Sequence, residues 1–135
     1  MSRLSPEKRK EMMQRFRSKN TFPELLIMKE LRKRKIYFAK HVDTILGKPD
    51  IVFRRKKIVV FIDSDFWHGH PTRLRMPKTN LNYWKEKISK NKNRDRKVNK
   101  ELKSNGWIIL RFWEYDIKKN LDRCVSKILD VYFSR

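Results

Sequence analysis

Gly47-Lys48-Pro49-Asp50-Ile51-Val52-Phe53-Arg54-Arg55-Lys56-Lys57-Ile58-Val59-Val60-Phe61-Ile62-Asp63 holds two short apolar runs separated by four consecutive basic residues. β-Branched and aromatic side chains favour strands over Asp50 to Phe53 and Ile58 to Ile62; Gly47, Lys48 and Pro49 punctuate the chain before them, and Arg54 to Lys57 makes a four-residue hairpin turn. If Phe53 faces Ile58 across the hairpin, Asp50 faces Phe61, and Asp63 returns to that face two residues later. Asp50 and Asp63 are then diagonal neighbours about 7 Å apart, a separation that one or two hard cations can bridge. A turn one residue longer or shorter breaks this parity. Taken alone, Pro49-Asp50 is a common turn dipeptide; a second carboxylate on the adjoining strand gives it another meaning.

Outward from the hairpin, the spacing predicts a helix over 22–34, with Asn20 or Thr21 as cap, Pro23 in the first turn and Glu24 beside it. Ile36 to Val42 alternates and reads as a strand. Leu81 to Ser104 is a long basic helix with sparse apolar positions at Tyr83, Trp84, Ile88, Val98 and Leu102, and Asn105-Gly106 is its stop. Trp107 to Trp113 is nearly continuous in apolar character and reads as a central strand. A last helix starts at Asn120 or Asp122, with Leu121, Val125, Ile128, Leu129 and Tyr132 on its inner face. The order predicts an α/β fold, a mixed central sheet flanked by helices. Residues 21–135 are expected to form a single domain and 1–20 a basic arm or helix, in which Ser5 and Pro6 can open a helix over 5–18.

The 135 residues include 36 Lys and Arg against 15 Asp and Glu, a formal charge of +21. Such a surplus repels itself unless an anion neutralises it, and nucleic acid is the common partner that does so. With 3 Gly, 5 Pro and many aromatics, the chain does not have the composition of a disordered tail. One cysteine, Cys124, rules out an internal disulfide. No apolar run is long enough to span a bilayer, no signal segment opens the chain, and no basic amphipathic helix of the interfacial kind is visible. A cytoplasmic protein is expected.

The charge lies in two blocks, 1–35 and 73–103, around a segment holding Asp50, Asp63 and Asp65. Basic arms around an acidic centre point to a metal-dependent nuclease. Lys90-Asn91-Lys92-Asn93-Arg94-Asp95-Arg96-Lys97 is too dense for an ordinary solvated face, and Lys90, Lys92, Arg94, Arg96 and Lys97 are candidate phosphate contacts. Phe66-Trp67, flanked by Asp65 and His68, is either core or an apolar wedge for DNA. Trp84 either packs on the sheet or stacks on a base. His68 is a candidate general acid or base, because an imidazole changes charge near neutral pH, whereas His41 and His70 read as surface or hydrogen-bonded histidines.

Phe61-Ile62-Asp63-Ser64-Asp65-Phe66-Trp67-His68-Gly69-His70 resembles the very short patch repair (Vsr) DNA mismatch endonucleases, whose strand ends in a Phe-Trp-His segment. The resemblance also takes in Arg17-Ser18-Lys19-Asn20, Glu24, Gly47-Lys48-Pro49-Asp50, Trp84-Lys85-Glu86-Lys87-Ile88, Asn91, Arg94-Asp95-Arg96, Gly106-Trp107 and Trp113-Glu114. It implies a restriction-endonuclease-like core of the PD-(D/E)XK superfamily and Mg2+-dependent nicking of one strand of double-stranded DNA near a T·G mismatch, with one or two ions. By position, it implies that Asp50 binds metal, that Ile62 offers its carbonyl, that Glu24 acts through an intervening water, that His68 is the general acid/base, and that Asp95 lies near the active site. It further implies that Phe66, Trp67 and Trp84 wedge beside the mismatch.

Two departures qualify that expectation. Members of the family carry a zinc held by cysteines and a histidine. The matching positions here are Asp65, Thr72 and Tyr115, with only His70 kept, so no structural zinc is expected. Asp63 stands where some members have histidine and becomes a candidate catalytic carboxylate and Mg2+ ligand, as in ordinary restriction nucleases. The alternatives are therefore a restriction or nicking endonuclease acting on matched DNA, and a non-catalytic nucleic-acid-binding protein. A monomer in a prokaryotic, nucleoid-associated setting is expected, and any mismatch-repair or methyltransferase partner is unknown.

Overall fold

A computed structural model describes residues 21–64 and 80–135. The expected arm or helix over 1–20 and the Phe66-Trp67-His68 segment lie outside the described residues. Helix α1 (Phe22–Lys33) leads to strands β1 (Ala39–Lys40), β2 (Ile51–Phe53) and β3 (Ile58–Asp63). Helix α2 (Leu81–Ser104), strand β4 (Ile108–Trp113) and helices α3 (Glu114–Lys119) and α4 (Leu121–Ser134) follow. The sheet runs β1-β2-β3-β4; β1 and β2, and β2 and β3, are antiparallel, while β3 and β4 are parallel. This is the expected α/β architecture, consistent with a restriction-endonuclease-like core.

The hairpin has the register predicted from its turn: Phe53 pairs with Ile58, Val52 with Val59 and Ile51 with Val60. Beyond Ile51 the ladder slips. The Asp50 N–H donates to the Val60 carbonyl at 3.0 Å, a partner the continued pairing would not supply.

Every residue of β2 and β3 is buried, because helices cover both faces of the sheet. Ile58, Val60 and Ile62 turn toward α1 and α4, where Ile27, Met28, Leu31, Val125 and Ile128 complete one core. Val59 and Phe61 turn the other way, against Val98 and Leu102 of α2. Burying a side chain of this size contributes roughly 1.5–3 kcal/mol, so the two cores fix which side of β3 each residue faces. Phe61 and Asp63 therefore look toward α2.

Three expectations need correction. The strand read over 36–42 shrinks to Ala39–Lys40, because the Ile36 N–H still closes the end of α1 on the Leu31 carbonyl (3.0 Å) and His41 takes a left-handed backbone, φ 51°. The strand expected to be central, β4, lies at the sheet edge among the described residues. Its apolar run reflects helices on both faces rather than strands on both sides, and four of its six residues are only partly buried. Thr21 takes the N-cap position of α1, but its side chain makes no capping bond.

Candidate active site

At the end of β3 an open pocket of about 420 Å³ lies between the sheet, the start of α1 and one face of α2. Its carboxylates are Glu24, Asp50, Asp63, Asp95 and Glu114. Its cations are Lys48, Lys87, Arg94 and Arg111. Six of the residues singled out from the sequence, Glu24, Asp50, Ile62, Asp63, Arg94 and Asp95, thus line one space, although they come from α1, the loop before β2, β3 and α2.

Asp50 is held from its own hairpin: the Ile62 N–H donates to Oδ2 at 2.7 Å. Burial pushes the Asp50 carboxyl up to about 8; the Ile62 amide opposes that rise, while the Glu24 charge, a hydrogen bond with Glu24 and the Asp63 charge add to it. Glu24 is itself buried, although it stands in the first turn of a helix whose other buried side chains are all apolar. Two adjacent carboxylates removed from water repel one another and lose hydration, so one is driven to its neutral form unless a cation joins them.

His41 completes this group. Its left-handed backbone, at which His is less disfavoured than most residues, turns it off the end of β1, and its N–H donates to the Asp50 carbonyl at 3.0 Å. Its Nε2 stands 2.9 Å from Glu24 Oε2 with both side chains nearly buried. One ligand-type atom from each of Glu24, His41 and Asp50 lies within 4.8 Å of the others. The Thr21 hydroxyl, which also lines the pocket, is buried with no hydrogen-bond partner among the described residues. Two carboxylates, one imidazole and a hydroxyl left to be satisfied form a donor set that fits a divalent cation.

Asp63 sits apart from that group. Arg111, on the neighbouring strand, donates from Nη1 to both Asp63 oxygens at 2.9 and 3.2 Å and from Nε to Asn99 Oδ1 at 2.8 Å. Its Nη1 is 3.8 Å from Asp95, and its guanidinium lies 4.1 Å over the Phe61 ring. Asp63 thus has a guanidinium against its carboxylate where the hairpin parity expected a cation shared with Asp50, and the carboxylate that meets Asp50 is Glu24.

On α2, Lys87, Asn91, Arg94, Asp95 and Val98 recur at helical spacing along the pocket wall. Arg94 of the basic block is therefore at the rim. Lys90 and Lys97 share the adjoining face with it, whereas Lys92 and Arg96 fall on the opposite side of the helix. All five are exposed, and Lys90 pairs with Glu86 at 3.2 Å. Trp84, in the first turn, stacks edge-on with Tyr83 at 5.1 Å and does not line the pocket.

The loop carrying Asp50 is clamped by Gly47. Its φ is +81°, and a β-carbon there would stand 2.6 Å from Val98 Cγ1 and 3.2 Å from the Phe61 ring. Only glycine lets the chain pass between α2 and β3 at this point.

The sequence reading did not single out His41, Lys87, Asn91, Arg111 or Glu114 as site residues. The helical spacing of 87, 91, 94, 95 and 98 was a readable signal. Arg111 becomes visible only when β4 is known to lie parallel to β3.

The sequence profile described as DNA mismatch endonuclease Vsr matches residues 1–74. The chain belongs to the Vsr family. It is 42% identical over 138 aligned positions to the type II nicking enzyme V.HpaIIP of Haemophilus parainfluenzae, covering all of this chain and 98% of that protein. It is 42% identical over 130 residues to the type II nicking enzyme V.NmeDIP of Neisseria meningitidis serogroup C, 95% of this chain and 88% of the relative. The DNA mismatch endonuclease Vsr of Escherichia coli strain K12 is 41% identical over 69 residues, half of this chain and 44% of that protein. This Vsr-family chain is a DNA endonuclease, its family calls for a divalent metal, and no helix among its described residues is long and apolar enough to cross a membrane.

Proposed function

We propose that this endonuclease nicks one strand of duplex DNA at or near a T·G mismatch, using Mg2+ held by Asp50 with the help of Glu24 and the Ile62 carbonyl. The observation that carries the reading is a buried Glu24 against a partly buried, desolvated Asp50 in one pocket whose wall bears Lys87 and Arg94. A phosphodiester is an anion, and hydrolysis adds charge to it. The chemistry that a bound dication supplies is to offset that charge and to activate water.

The remaining roles belong to the chain. Lys87 and Arg94 hold the phosphates flanking the scissile one, and Lys90 and Lys97 extend that track. Lys92 and Arg96 add diffuse attraction from the far side of α2. The Ile62 amide orients Asp50. His68 moves a proton to or from the reacting oxygen, and Asp95, close to Arg111, keeps α2 in register with the site. Asp63, given its guanidinium partner, acts as an electrostatic neighbour of Asp50 and as a further metal ligand only if Arg111 yields. Phe66, Trp67 and Trp84 supply the apolar faces that part the base pairs beside the mismatch.

A second reading, nicking at a matched sequence, is favoured by the names of the relatives that span most of the chain, all nicking enzymes. An end-labelled duplex carrying T·G or C·G at one position, incubated with Mg2+ or EDTA, decides between them. Mg2+-dependent nicking of the T·G duplex alone, lost in Asp50→Ala, is expected. Equal cutting of both duplexes moves the assignment to matched-site nicking. DNA binding unaffected by Asp50→Ala, with no cutting of either duplex or of a mixed-sequence plasmid, moves it to a non-catalytic binder.

A further inference from the structure

His41 has no role in the reading above, yet its side chain meets Glu24 directly. Its ring is almost fully buried, its Nε2 faces Glu24 Oε2 at 2.9 Å, and its backbone is bonded to Asp50. Adjacent donors around an octahedral dication with bonds of about 2.1 Å stand roughly 3 Å apart. The Nε2 to Oε2 separation matches that spacing, and the Asp50 oxygen lies within the same 4.8 Å group. The left-handed backbone at His41 is a conformation most side chains avoid, and here it aims the ring inward rather than along the strand.

We propose that His41 is a further protein donor to the divalent cation, through Nε2, making a mixed nitrogen–oxygen site with Glu24 and Asp50. The inference rests on the reading of those two carboxylates as cation ligands. In this arrangement the ring proton resides on Nδ1, and the Nε2 lone pair turns from Glu24 to the ion, so that both former partners become adjacent ligands. An imidazole among the donors raises affinity for later transition-metal dications more than for Mg2+, which prefers oxygen. Such a site binds Co2+ or Mn2+ more tightly than Mg2+. Availability rather than raw affinity then decides which ion it carries.

The test uses the full chain loaded with Mn2+ and electron spin-echo modulation, which detects a directly bound nitrogen without any activity measurement. Nitrogen modulation is expected in the unaltered chain and expected to vanish in His41→Gln, with Co2+ affinity falling about tenfold or more and Mg2+ affinity by less than about threefold. The chain has three histidines, so the double variant His68→Gln/His70→Gln leaves His41 alone. Its modulation should persist, and that measurement stands even if His41→Gln fails to fold. Mn2+ bound stoichiometrically and lost in Asp50→Ala, but without nitrogen modulation, overturns the role of His41 and leaves the carboxylate site intact. No stoichiometric Mn2+ binding by the unaltered chain overturns both.

Discussion

Replacing Asp50 by Asn should stabilise the metal-free protein, and by an amount that grows with pH. In the folded chain the carboxyl is held up to about 8, against an ordinary value of 3.8. Between those two values the unfolded chain has lost a proton that the folded chain keeps. Stability is therefore fully present below about pH 4, falls as pH rises, and levels off above about pH 8. With some four units between the values and about 1.4 kcal/mol per unit, the ceiling is roughly 6 kcal/mol. The pocket is open to water, so about 2–4 kcal/mol is the expected reading. Asn has no such proton equilibrium. Its Oδ1 can still accept from the Ile62 N–H, and its amide can donate toward Glu24 as the neutral acid does. Urea unfolding of both proteins in EDTA at about pH 3.5, 6 and 9 should give midpoints that nearly coincide at the lowest pH and diverge upward, the variant being the more stable. Dication at one hundred times its Kd should then add about 2.7 kcal/mol to the unaltered chain and little to the variant, closing or reversing the gap. A difference that does not change with pH, or a variant less stable at pH 9, would refute the argument that Asp50 is a desolvated carboxyl beside Glu24.

Gly47→Ala should lower stability by about 2–4 kcal/mol, combining a left-handed alanine with overpacking against Val98; a thermal melt checks it, and Val98→Ala in the same chain should recover part of the loss. Arg111→Leu should cost about 3 kcal/mol, because the buried Asp63 carboxylate loses its guanidinium, whereas adding Asp63→Leu should restore much of it. A double-mutant cycle with coupling below about 0.5 kcal/mol would contradict the pairing. Lys87→Ala and Arg94→Ala should each reduce the salt dependence of DNA binding by about one unit of log–log slope, measured by fluorescence anisotropy across a salt series, with unchanged slopes counting against phosphate contacts at the pocket wall.

Local chemistry made part of this molecule legible. Four basic residues between two β-forming runs fixed the hairpin length, and with it the Phe53 to Ile58 pairing. The long helix runs over the predicted residues, Leu81 to Ser104, because Asn105-Gly106 ends it and Gly106 takes a left-handed φ of 87°. Distance along the chain hid the rest. His41 reaches Glu24 across 17 residues by way of one left-handed residue, and the apolar character of 36–42 masks that turn. Arg111 meets Asp63 across a parallel pairing whose connection includes the whole of α2. The carboxylates near Asp50 were read as a hairpin pair because the hairpin was the only tertiary relation the sequence disclosed; α1 supplied the closer one. The short helix α3 went unseen since its six residues carry a single buried side chain, Ile117.

The balance of charge around the pocket bears on the order in which the enzyme takes up its ligands. Its walls carry five carboxyl groups and four cationic ones, and with Asp50 in its neutral form the two signs cancel. DNA approaching the protein without metal meets no anionic barrier at the pocket, and metal arriving first leaves the walls only modestly positive. Either ligand can enter first. Because a phosphate and a dication attract one another once both are seated, each should tighten the other by the same factor. Metal affinity measured with and without a non-cleavable duplex, and duplex affinity measured with and without metal, are two readings of one quantity.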